Sequence, residues 1–169
     1  MFVERSDATQ RIQAMAASAA SELLDAYGVK LAETLDVWEE SEEVLYSGVM
    51  GFIGERVRGT CLLAAPRDTI LATAPQDARP RDWVGELANQ LVGRLKSKLM
   101  AHGVTIALST PVVLSGVKLS PLPRSEVLPS VFDTPSGRVL VWLEVEVDPE
   151  FTLGSLRPLM ASEGEFLVF

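Results

Sequence analysis

The chain has one cysteine and one histidine in 169 residues. A single cysteine allows no intrachain disulfide, which fits a reducing compartment. A single histidine excludes His-rich metal sites and leaves any histidine-dependent triad resting on His102 alone. That residue precedes Gly103 in what reads as the last turn of a helix, where a ring facing the helix dipole accounts for it without chemistry. Cys61 lies in an apolar, strand-like run and reads as a core residue rather than a nucleophile. Basic side chains are also few: 15 against 23 acids, for a net charge of −8. Such a chain repels a phosphate backbone and an anionic bilayer, so neither nucleic acid nor membrane is an expected partner. No apolar run approaches bilayer-spanning length. Near the N-terminus Ser18 and Ser21 interrupt the only apolar-leaning stretch, so no signal peptide is expected, and the location expected is cytoplasmic.

Hydrophobic residues make up 47% of the chain and charged residues 22%, enough for one core, and residues 1–169 read as a single domain. Ser6 and Asp7 can cap a first helix, with Gln10 placed for a capping box from Asp7, an apolar stripe from Ile12 to Tyr27, and Gly28 as its stop. Residues 29–37 read as a short strand and turn. Glu39, Glu40, Glu42 and Glu43 form an acidic, solvated patch. Residues 43–53 and 57–65 read as a hairpin turning at Gly54 and Glu55. Pro66 opens a short helical piece, residues 75–80 form a proline-bounded loop, and a long helix runs over about 81–102. Strands follow at 104–108 and 112–119. A proline-containing loop covers 120–124, and Pro129 demotes 126–132 to an edge or bulge. After the turn at 134–137, residues 138–148 alternate, with Val139, Val141, Leu143, Val145 and Val147 on one face. Leu140 and Trp142 interrupt the polarity of the other face, which suggests cover by a helix, the tail or another subunit. Residues 149–169 are an unassigned, mostly apolar tail. The fold class expected is α+β: two long helices packed on a mostly antiparallel β-sheet.

The most informative stretch is the long helix. Asp82, Glu86, Asn89 and Gly93 are spaced i, i+4, i+7 and i+11, so at about 100° per residue they share one narrow stripe. Val84, Leu87, Ala88, Leu91, Leu95 and Leu99 take the opposite side. A carboxylate and a carboxamide therefore point away from the core. Gly93, with Gly85 nearby, thins the helix beside them. A helix-interior glycine costs about 1 kcal/mol relative to alanine, so it commonly marks a close approach by another molecule. Asp82 also has a structural job open to it, as a cap or first-turn acid.

In its wider setting this stretch resembles the CheX/CheC/FliY family of chemotaxis phosphatases. Asp82, Glu86 and Asn89 match the spacing of the family signature, an acid or serine, three residues, Glu, two residues, Asn. Pro111 falls close to the place of the family's following proline. Residues 48–54 and 59–63, each opening on a glycine, look like the hairpin that precedes the motif helix. The resemblance covers about residues 44–147. The first helix carries Ala, Ser and Leu where a second Glu–Asn pair would sit, so a single site is expected, as in CheX. The loop before the motif helix is brief for the family, and the tail after Asp148 is unmatched.

The resemblance implies a substrate: the aspartyl phosphate of a response-regulator receiver domain. It also implies roles. Asn89 would position a water, Glu86 would pair with the receiver lysine, and Asp82 and Gly93 would contact the partner. No cofactor is expected on this chain, and Mg²⁺ is expected in the receiver. A homodimer is expected as well. The alternative is a non-catalytic receiver-binding or scaffold module of a signalling or flagellar switch system.

Overall fold

The computed structural model describes residues 6–32, 43–117 and 127–156. A first helix, α1 (Asp7–Ala26), leads to a hairpin of β1 (Val44–Gly54) and β2 (Val57–Pro66). A short helix, α2 (Arg67–Ala72), and a long one, α3 (Pro80–Ala101), follow. Then come β3 (Ile106–Leu108), β4 (Val112–Val117) and a second hairpin of β5 (Ser130–Thr134) and β6 (Gly137–Val147). The expected α+β class is the observed one.

The helix ends follow local chemistry. The Ser6 hydroxyl accepts the Thr9 N–H at 3.2 Å, so Ser6 is the N-cap of α1. The third helical position is thereby Thr9, and the expected box between Asp7 and Gln10 does not form. Gly28 (φ +72°) follows the C-cap Tyr27, in a conformation that glycine adopts without steric cost. Helix α3 opens with Pro80 at its first position, where a missing N–H costs nothing, and ends at the C-cap His102.

The sheet runs β3-β1-β2-β6-β5, with β4 also on β1, and every pairing is antiparallel. Strands β3 and β4 share one edge of β1. The former pairs with Phe52, Ile53 and Gly54, the latter with Val44 through Val49. Between them Ser109 bridges the break. Its N–H donates to the Gly51 carbonyl at 2.9 Å, and its hydroxyl accepts the Gly51 N–H at 2.9 Å. The Pro111 interruption thus leaves the Gly51 backbone satisfied. Strand β5 starts at Ser130, later than the sequence suggests, because Pro129 has no N–H to pair. Of the expected strand at 29–37, Ala32 makes a single bridge to Asp133. Residues 33–37 lie outside the described part, as do Glu39, Glu40, Glu42 and the loop at 120–124.

Both long helices cover one face of the sheet. Ile12, Ala16, Leu23, Leu87, Leu91 and Leu95 join Met50, Cys61, Leu63, Val139, Val141 and Leu143 in the main core. The other face of β6 carries Leu140 and Trp142, and both are buried, at 4% and 5% exposure, against Leu45, Leu62 and Ala64. They therefore present no free apolar surface, which removes the observation that first suggested pairing through this strand. After β6, Leu153 enters the main core. Arg11 donates to its carbonyl at 3.0 Å, and the His102 ring Nδ1–H donates to the Gly154 carbonyl at 2.6 Å. His102 thus ties the start of the tail to the end of α3. Residues 157–169, with the apolar terminus at 166–169, lie outside the described part.

Candidate functional site

Which way α3 faces is decided by close backbone contact beneath it. A Cβ on Gly48 of β1 would lie 2.7 Å from the Ala88 Cβ and 2.7 Å from the Val84 carbonyl oxygen. Only a glycine lets the strand and the helix meet this closely. One turn back, Gly85 is buried, and a Cβ there would sit 3.0 Å from Val113 Cγ2 and 3.9 Å from Pro111 Cβ. Gly85 therefore faces β4 and Pro111 and does not thin the polar stripe, contrary to expectation. Its role is helix–sheet packing, and it brings Pro111 against the turn that carries Glu86.

With that side pinned, Val84, Leu87, Ala88, Leu91, Leu95 and Leu99 are buried, and Asp82, Glu86 and Asn89 are exposed on the opposite side, as the spacing predicts. Asp82 stands in the first turn, where its charge also opposes the helix dipole. A Cβ on Gly93 would meet nothing within 4 Å, so the stripe is open there. The Asn89 amide makes no side-chain hydrogen bond among the described residues, which leaves its donor and acceptor free for a water or a partner.

Glu86 is held. The Gln90 Nε2–H donates to Glu86 Oε1 at 2.9 Å, and Gln90 Oε1 in turn accepts the Tyr27 hydroxyl at 2.9 Å. Tyr27 also meets Trp83 edge-on, with ring centroids 5.9 Å apart at 82°. The Trp83 indole N–H donates to Thr73 Oγ1 at 2.9 Å. Sequence reasoning did not single out Gln90 or Tyr27. The i, i+4 spacing of Glu86 and Gln90 was a usable signal. Nothing in the sequence linked Tyr27 to Gln90.

Among the described residues, Cys61 and the Glu22–Lys98 pair are explained by the fold. Burial pushes the Cys61 thiol up to about 12, which makes it an inert core group. The Lys98 ammonium lies 2.6 Å from Glu22 Oε1 and ties α3 to α1. Its hydrogen bond, then that of Ser18, lowers the Glu22 carboxyl below its ordinary value. Among the described residues no three His, Cys, Asp or Glu side chains gather as a metal site, and no helix is long and apolar enough to cross a membrane. A hollow of about 630 Å³ is lined by Arg58, Thr60, Ser109, Glu144 and others, and neither Glu86 nor Asn89 lines it. The candidate site is instead a convex helix face, a shape suited to docking on another macromolecule.

Similar solved structures share this fold. CheX from Vibrio vulnificus has a TM-score of 0.66 and 20% identity, over 80% of this chain and 99% of that one. CheX from Desulfovibrio desulfuricans has a TM-score of 0.65 and 22% identity, again over 80% and 99%. CheX of Borrelia burgdorferi, in a complex with CheY, BeF₃ and Mg²⁺, has a TM-score of 0.59 and 18% identity, over 79% and 96%. No curated protein matches the chain. These likenesses show a shared fold. The family described as chemotaxis phosphatase CheX matches residues 46–128, a span holding β1 from Tyr46 onward, β2 and all of α3. Over residues 46–128 the chain is similar to the CheX chemotaxis phosphatase family.

Proposed function

We propose that this chain accelerates hydrolysis of the aspartyl phosphate of a response-regulator receiver domain. The observation that carries the reading is the pairing of an exposed Glu86 with an exposed, unengaged Asn89 on one outward stripe of α3. An acyl phosphate is already a reactive bond. Water attacks phosphorus, the bond from phosphorus to the aspartyl oxygen breaks, and aspartate and inorganic phosphate remain. The missing ingredient is a water held in line, and positioning of this kind supplies much of the acceleration in phosphoryl transfer. The Asn89 amide can accept from that water and donate to it or to a phosphoryl oxygen. The Glu86 carboxylate can pair with a lysine of the receiver and orient it. Asp82 and the open surface at Gly93 would border the docked partner. In this reading Mg²⁺ belongs to the receiver, and this chain brings no cofactor.

The complex of the Borrelia burgdorferi CheX with CheY, BeF₃ and Mg²⁺ supports a receiver as the partner class. The family and the acidic balance support a cytoplasmic setting. A homodimer is part of the proposal too, though not through Leu140 and Trp142. The exposed apolar side chains Val112, Leu114 and Val117 lie on β4, with Val44 beside them on β1. Among the described residues β4 pairs only with β1, and an apolar edge strand is a template for a second chain. Sedimentation at micromolar concentration decides this: a dimer mass supports it, and a monomer mass removes it without touching the phosphatase reading.

The function itself is tested by adding purified protein to phosphorylated receiver domains and following phosphate release. Faster release supports the proposal. Binding without faster release would replace it with a non-catalytic receiver-binding module.

A further inference from the structure

We propose that Gln90 and Tyr27 are positioning residues that hold the Glu86 carboxylate in the orientation that receives the partner's cationic group. This inference rests on the phosphatase reading and extends it to residues outside the Glu–Asn pair.

The geometry has three links. Gln90 Nε2 donates to Glu86 Oε1 at 2.9 Å across one turn of α3. The Tyr27 hydroxyl donates to Gln90 Oε1 at 2.9 Å from the C-cap of α1. The Tyr27 ring is itself set edge-on against Trp83, at 82° and 5.9 Å. An exposed glutamate ordinarily samples several rotamers, and fixing it costs side-chain entropy when a partner docks. Here one carboxylate oxygen is already engaged by a neutral amide, and that amide is fixed at its other end by a half-buried phenol. Oε2 is left for the incoming cation. A carboxamide suits the middle position because it donates to the carboxylate with one end and accepts from the phenol with the other. A glutamate at 90 would place two carboxylates together, and an apolar side chain would break both bonds.

The arrangement also distinguishes the two members of the pair. Glu86 is pre-set by the fold, whereas Asn89 is free until a partner arrives. Loss of Gln90 or Tyr27 should therefore act on docking of the receiver more than on the water step.

The test uses Gln90→Leu, which keeps the size and loses both bonds, and Tyr27→Phe, which removes one oxygen and leaves the Trp83 contact. Each is placed in the wild-type and in the Glu86→Ala background, with circular dichroism to confirm folding. Initial rates of phosphate release are measured against the concentration of phosphorylated receiver. The expected result for Gln90→Leu is a KM raised roughly three- to tenfold, the range of one lost hydrogen bond, with kcat within about twofold. Tyr27→Phe should move KM the same way by less. Both should be silent once Glu86 is alanine, because they act only through it. A Gln90→Leu variant equal to wild type, or one equally damaging in the Glu86→Ala background, overturns the inference while the phosphatase reading stands. If the wild type releases no phosphate faster than the receiver alone, that reading fails. The same variants are then read by their affinity for receiver activated with beryllium fluoride and Mg²⁺, where an unchanged affinity for Gln90→Leu overturns the positioning role as well.

Discussion

Gly48 and Ala88 meet so closely that a single carbon added to the glycine would lie 2.7 Å from the alanine Cβ. That contact joins the central hairpin to the helix carrying the site, and it lies on the side of α3 opposite Glu86. Gly48→Ala would also press on the Val84 carbonyl, which is backbone and can yield only if the helix moves. The expected cost is about 1–3 kcal/mol, the usual range for overpacking a well-filled core. Urea unfolding of the variant beside wild type measures it. A midpoint unchanged from wild type would mean that the helix sits less tightly on β1 than described.

Ser47 offers a stabilising substitution. Its side chain is 1% exposed, and its hydroxyl has no hydrogen-bond partner among the described residues. A buried unpaired hydroxyl loses its hydration without recompense, so Ser47→Ala should be neutral or gain up to about 1 kcal/mol. A loss of more than about 1 kcal/mol in the same unfolding assay would show that the hydroxyl has a partner.

Cys61 should be silent in the native protein. Its thiol is buried and pushed up to about 12, so almost no thiolate exists at pH 8 and no reagent reaches it. A disulfide-exchange reagent should report no reaction with native protein and one equivalent after denaturation. Prompt reaction of the folded chain would contradict the burial.

The Glu22–Lys98 pair should leave a small pH signature. The Lys98 hydrogen bond lowers the Glu22 carboxyl below its ordinary value in the folded state. As pH falls the unfolded chain takes up this proton first. The pair's contribution is thus complete above the unfolded carboxylate pKa, near about 4.3, and is lost as pH falls through the lower folded value. Wild type should melt slightly above Glu22→Gln at pH 7, and the gap should close toward pH 3. The effect stays small because both side chains are partly exposed. A gap that widens on acidification would reverse the assigned shift.

Much of the fold was legible because hydrophobic period and turn chemistry agree. The alternation from Val139 to Val147, the break at Gly54 and the stop at Gly28 each have a local cause. The polar stripe of α3 was legible for the same reason: helical spacing alone separates Glu86 and Asn89 from Leu87 and Leu91. What escaped the sequence was contact between distant segments. Gly85 and Gly93 look alike in a helical pattern, yet one packs on Val113 and the other faces open space. That difference depends on where β4 crosses beneath α3. Leu140 and Trp142 break a polar face whether solvent or the same chain covers them, so their burial could not be read from alternation. Tyr27 reaches Gln90 only because the end of α1 lies beside α3, a fact of tertiary packing.

In the proposed mechanism Asn89 holds the hydrolytic water while other residues of the stripe hold the receiver. The most direct test compares wild type with Asn89→Ala in two assays on the same receiver: phosphate release from its phosphorylated form, and affinity for its beryllium-fluoride-activated form. Water positioning is used only in reaching the transition state. Accelerated release should therefore be abolished in Asn89→Ala while affinity stays within about threefold of wild type. Glu86→Ala should weaken affinity as well, and Asp82→Ala should do less to either. Full acceleration retained by Asn89→Ala would mean that Asn89 does not position the water.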